Sequence, residues 1–134
     1  MGNEKEILDS CKVVAVVGLS ANEERASNRV ASYLKGQGYK IIPVYPAEES
    51  ILGEVCYPNL SAIPGKVDVV DIFRKSEEVP QIVDEAIKVA AKAVWMQEGV
   101  VNEGAAKKAR DAGLKVVMDK CMLKEHLRVK NNLL

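Results

Sequence analysis

With 134 residues and 48% apolar side chains, the chain has enough material for a packed core and a length suited to one domain over 1–134. Its 19 basic residues balance 19 acidic ones and are spread along the sequence, which argues against a nucleic-acid surface. Short, interrupted apolar runs offer no membrane span, and the Met1-Gly2 start lacks a secretory pattern and has Glu6 where myristoylation wants Ser or Thr, so a cytoplasmic protein is expected.

Residues 3–11 predict a short leading helix or turn with Ile7 and Leu8 inward. Lys12–Val17 is apolar almost throughout, as in a parallel strand buried on both faces. After Gly18 a polar loop leads to a helix from near Ser27, with Val30, Ala31 and Leu34 on one stripe and Gly36 and Gly38 at its end. Lys40–Val44 predicts a second strand whose end Pro43 should make irregular. A long connection follows, with a single helical turn within Asn59–Pro64. Val67–Phe73 predicts the third strand. Ser76 is a candidate cap for the next helix, whose stripe Val79, Ile82, Val83, Ala86, Ile87 and Ala90 keeps a 3.6-residue period. Ala93–Met96 is the fourth strand, and a helix over Glu103–Ala112 has Asn102 as cap and Gly113 as stop. Lys115–Met118 is the fifth strand, and Met122–Lys130 a last helix. This alternation predicts an α/β, Rossmann-like, doubly wound parallel sheet of five strands with helices on both faces.

Ligands of such folds bind outside the carboxyl ends of the strands, where strand order reverses. The first strand end offers Gly18, Leu19, Ser20, Arg25, Ser27 and Asn28. That is a polar loop at a helix N-terminus, suited to phosphate. The alternative is a packing turn in which Ser27 caps the helix and Arg25 is solvated. A dinucleotide fingerprint would need glycine at Ser20 and Glu23, and an acid just after the second strand. Val44, Tyr45 and Pro46 stand there instead, as an aromatic shelf or a turn. Phe73 and Arg74 place an aromatic and a cation at the third end, and Gln97, Glu98 and Gly99 an amide, a carboxylate and a flexible hinge at the fourth. Cys121 follows the fifth strand and is read either as a reactive thiol or as a small buried residue.

Cys11, Cys56 and Cys121 lie far apart with no Cys-x-x-Cys, which argues against disulfide and zinc scaffolds. His126 is the only histidine and reads as a solvated residue. With no Gly-x-Ser-x-Gly elbow beside it, neither a catalytic nor a metal-binding set is assigned. Trp95 and Leu133-Leu134 fit either core or interface.

The segments Ala15–Ser20, Arg25–Ser27, Leu34–Tyr39, Pro43–Pro46, Val67–Val70, Phe73-Arg74, Val94–Gly99 and Asp119–Met122, in this order and spacing, resemble the stand-alone CoA-binding proteins. That family is in turn similar to the CoA-binding domain of the succinyl-CoA synthetase α subunit. The resemblance implies coenzyme A, or an acyl-CoA, across the strand ends. Gly18, Ser20, Arg25 and Ser27 would hold phosphates, and Val44, Tyr45 and Pro46 the adenosine. Phe73, Arg74 and Gln97–Gly99 would run toward Cys121. Tyr45 departs from the small polar residue common in the family. The synthetase's phosphohistidine chemistry needs a further domain, so binding without ligase activity is expected, with a protein partner or homo-oligomer left open. Two alternatives stand beside this. One is a thiol-redox protein exchanging Cys121 with CoA disulfide, and the other an NAD(P)-binding oxidoreductase-like domain.

Overall fold

Five short apolar segments pair in parallel in the computed structural model, which describes residues 3–131. Met1-Gly2 and Leu133-Leu134 lie outside the described residues. The strands are β1 (Val13–Val17), β2 (Lys40–Val44), β5 (Val69–Ile72), β6 (Ala93–Met96) and β7 (Lys115–Val117), in the spatial order β2-β1-β5-β6-β7. The helices are α1 (Glu4–Ser10), α2 (Ala26–Gly36), α3 (Val79–Lys88), α4 (Glu103–Asp111) and α5 (Met122–Lys130). The expected doubly wound α/β architecture is therefore present.

Side chains alternate across the sheet and define two cores. Val14, Val16, Val69, Ala93 and Trp95 pack with α1, α2 and α5, through Ile7, Leu8, Val30, Leu34 and Met122. Ala15, Val70, Ile72, Val94 and Met96 pack with α3 and α4, through Val79, Val83, Ala86 and the alanines 105, 106 and 109. Trp95 belongs to the core rather than an interface: it is fully buried and its Nε1 donates to the Lys120 carbonyl at 2.9 Å. Strand order reverses between β1 and β5, so the crevice of this fold opens where Gly18 and Phe73 leave the sheet.

Four local expectations are corrected. Pro43 does not disturb β2, which keeps register with β1 through Val44. Lys40 N–H and the Val44 carbonyl bond toward β1, whereas the Pro43 carbonyl and Tyr45 N–H bond outward to Tyr57. The missing donor of Pro43 thus falls on the outward side, where it interrupts no ladder bond. The long connection contains a hairpin, β3 (Ser50–Ile51) with β4 (Glu54–Val55). Its two-residue turn has positive φ at both Leu52 and Gly53, as a hairpin's twist requires, and leucine disguised it. Ser76 caps no helix. It starts a 3-10 turn (Ser76–Glu78) that feeds α3, and its Oγ accepts from Val101 N–H at 3.0 Å. Ala90 is exposed with φ 59° beyond the end of α3, so it lies outside the buried stripe.

Candidate functional site

Gly18 closes β1 at the reversal of strand order. Its φ is +89°, and a Cβ there would stand 2.5 Å from the Phe73 carbonyl oxygen and 2.8 Å from Arg74 Cδ. Only glycine allows the β1 and β5 exits to come this close. The loop beyond is held by its own polar groups. Ser20 N–H donates to Ser27 Oγ at 3.0 Å, and Asn28 Nδ2 donates to the Ser20 carbonyl at 2.8 Å. Leu19 is fully buried and pins the loop to the core. Leu19 and Asn28, expected among the ligand-binding residues, have side chains that brace this loop. Ser27 is not a cap either: the N-cap position belongs to Arg25, and the Ser27 oxygen is turned to the loop.

The start of α2 is electrostatically open. It has no side-chain cap and no acidic residue in its first turn. By contrast, α4 has Asn102 bonded to Ala105 N–H and Glu103 behind it. An uncapped helix start leaves N–H donors and the positive end of the helix dipole available to an anion, and Arg25 adds a cation beside them.

Three cavities run along this edge of the sheet and share walls. The first, about 250 Å³, has Val44, Tyr45 and Pro46 on one side and Glu78, Gln81, Ile82 and Glu85 on the other. The second, about 330 Å³, lies over Gly18, Ser20, Arg25, Ala26 and Ser27, with Tyr45, Phe73 and Arg74. The third, about 320 Å³, is lined by Ala26, Val30, Phe73, Arg74, Gln97, Glu98, Val100 and Cys121. Arg74 borders all three, so they form one groove with a cation at its middle. Arg74 Nε and Nη2 both donate to Glu78 Oε1, at 2.9 and 2.8 Å, in a half-exposed ion pair. The wall made by Glu78 and by Gln81, Ile82 and Glu85 of α3 was missed from sequence. The i, i+3, i+4, i+7 spacing of these residues was the available signal.

The far end of the groove is tied down by polar contacts. Glu98 pairs with Lys124 at 3.0 Å, and Gly99 N–H donates to Asp119 Oδ1 at 2.8 Å. The Gly99 N–H is thus taken, while the exposed Glu98 carboxylate keeps lone pairs beyond the Lys124 pair and lines the third cavity. Gln97 is buried, and its Nε2 donates to Asp71 Oδ1 at 2.6 Å. Asp71 was not foreseen. It is fully buried on β5, its Oδ2 has no partner among the described residues, and burial pushes its pKa up to about 7 against the smaller opposing effect of the Gln97 bond. Cys121 is buried at the N-cap of α5 and lines the third cavity.

His126 borders none of these three cavities. It is half-buried rather than solvated: its Nδ1 bonds Tyr33 Oη at 2.7 Å, and its ring meets Tyr33 and Tyr39 edge-on. Burial first, then Lys12 and Lys130, hold its pKa below the ordinary histidine value. No helix among the described residues is long and apolar enough to cross a membrane.

A family model described as CoA binding domain matches residues 12–127. The uncharacterized protein YneT of Bacillus subtilis (strain 168) is 39% identical over 122 residues, covering 91% of this chain and 90% of its own length. A protein from Pyrococcus horikoshii OT3, solved as a hypothetical protein, superposes with a TM-score of 0.92 at 44% identity, over 96% of this chain and 90% of that one. An ADP-forming acetate–CoA ligase of Archaeoglobus fulgidus is 36% identical over 74 residues, which is 55% of this chain and 11% of the ligase.

Proposed function

The chain belongs to the CoA binding domain family, and from that we propose that coenzyme A or an acyl-CoA lies along the groove at the strand ends. The observation that carries this reading is the chain of three cavities meeting at Arg74. CoA is long, with an aromatic base, a polyphosphate and a narrow amide arm. The groove offers matching chemistry in that order. Val44, Tyr45 and Pro46 form an apolar shelf for the adenosine. Gly18, Ser20, Arg25 and the open start of α2 receive phosphate. The slot past Phe73 and Arg74 leads the arm to Gln97 and Cys121. The whole chain acts as one binding domain with no catalysis of its own.

Native mass spectrometry with CoA, acetyl-CoA and NAD tests the reading. A complex with CoA or its thioester is expected, and one with NAD alone would overturn it. The Arg74 ion pair gives a sharper pair of results. Arg74→Ala removes a charge-assisted contact and should weaken CoA by about 1.5–3 kcal/mol, or tenfold and more. Glu78→Gln should act in the opposite direction. It releases the guanidinium from an exposed pair worth at most about 1 kcal/mol, so CoA should bind about twofold to fivefold tighter. Calorimetric titration of both variants reads this, and two unchanged affinities would remove Arg74 from the site.

The position of Cys121 on the wall of the third cavity favours a second reading. Its thiolate would attack CoA disulfide, forming a Cys121–CoA disulfide and releasing one CoA thiolate. Cys121→Ser should keep CoA affinity and lose any adduct that reductant removes. If wild-type protein exposed to CoA disulfide forms none, this second reading fails.

A further inference from the structure

The sheet carries one carboxyl that neither the fold nor phosphate binding uses. Asp71 sits on the central strand, in register between Val16 of β1 and Trp95 of β6. It is 0% exposed, and one of its two oxygens has no partner among the described residues. A sealed carboxyl with unmet acceptors costs stability that an apolar side chain at this position would not. Its one side-chain hydrogen bond among the described residues comes from Gln97, the residue just past β6, which is itself buried and yet lines the cavity that Cys121 also lines.

We infer that Gln97, oriented by Asp71, reads the sulfur end of the ligand and favours a free thiol over a thioester. This rests on the CoA reading above. A side-chain amide has a donor end and an acceptor end, and rotation exchanges them. Asp71 is an acceptor when ionised and takes the Nε2 end. The Oε1 end is then the one left to the cavity: it has no partner among the described residues and is not among the buried atoms lacking one. An oxygen in that position accepts and cannot donate. A thiol S–H satisfies it. A thioester has no hydrogen on sulfur and adds a carbonyl oxygen, so acceptor would meet acceptor beside the Gln97 amide. Gln97 is thus the specificity-determining group and Asp71 its positioning residue.

The test is the ratio of dissociation constants for acetyl-CoA and CoA, measured on the alkaline side of neutrality for wild type, Gln97→Leu and Asp71→Asn. Wild type should favour CoA by about fivefold to tenfold, the factor that one net hydrogen bond supplies. Gln97→Leu keeps the bulk and removes the acceptor, so its ratio should fall to within about twofold of unity. Asp71→Asn can donate to Oε1 as readily as accept from Nε2, so its ratio should fall toward the same value. A purely structural role would shift both ligands together, and a steric one would persist in Gln97→Leu, so either would leave that variant's ratio intact. A wild-type ratio near unity, or an unchanged ratio in Gln97→Leu, overturns the inference. If wild type binds neither ligand, the CoA reading itself is what has failed.

Discussion

Gly18→Ala should destabilise the protein by about 3–5 kcal/mol and abolish CoA binding. Two costs combine. A non-glycine residue at φ +89° is strained by about 1–3 kcal/mol. The added Cβ also meets the Phe73 carbonyl oxygen at 2.5 Å, and that atom belongs to backbone rather than to a flexible side chain. The backbone has little freedom to retreat. Gly18 N–H is bonded to the Val44 carbonyl at 3.0 Å, and Phe73 N–H to the Val17 carbonyl at 2.9 Å. The β1 and β5 exits would have to part, which opens the middle of the groove. A loss of this size is a large share of the roughly 5–15 kcal/mol that stabilises a typical domain. Urea unfolding with CoA titration reads both effects. Gly36→Ala is the control: it has no positive φ, nothing within 4 Å, and should be neutral or slightly stabilising. A Gly18→Ala protein within about 1 kcal/mol of wild type would contradict the role given to this residue.

Asp71→Asn should stabilise the protein increasingly as pH rises from about 4 to neutrality. The carboxyl titrates at about 7 in the folded state, against 3.8 for an exposed aspartate, because it is buried away from water. Below the lower value both states hold the proton and the penalty is absent. Between the two values the native state keeps a proton that the unfolded chain has released, so stability declines as pH rises. Above the upper value the full penalty stands, on the order of 4 kcal/mol. Asparagine never ionises and keeps a bond to Gln97. The difference between variant and wild type should therefore be small near about pH 4 and approach its full size near about pH 8. His126 contributes in the other sense, with stability lost as acid charges a ring whose folded pKa is lowered, but it does so in both proteins and cancels. Unfolding curves across this range decide the matter, and a difference that does not vary with pH would contradict the buried-carboxyl account.

The sheet and most helices were legible because their signals are local and repeated. Val13–Val17 and Ala93–Met96 are apolar on both faces, and the α3 stripe through Val79, Val83 and Ala86 keeps helical period. What failed depended on contacts distant in sequence or on a backbone angle. Ser27 and Ser76 both look like caps, yet their hydroxyls accept from Ser20 and Val101, because each is needed to brace a loop. The Leu52-Gly53 turn was hidden because leucine rarely takes positive φ. The lining of the groove was legible at Gly18, Arg25, Arg74 and Cys121, where a residue type stands at a strand end. It was not legible at Asp71, because an acid within Asp68–Phe73 gives no local sign that its partner lies 26 residues later at Gln97.

The central claim is that CoA occupies the groove at the strand ends, and a titration followed by backbone amide NMR shifts tests ligand and place together. Addition of CoA should move Gly18, Ser20, Arg25–Asn28, Tyr45, Arg74 and Gln97, and leave Lys12, Lys40, Lys92 and Lys115 at the opposite edge of the sheet unmoved. No shifts with CoA, or shifts confined to that opposite edge, would contradict the account.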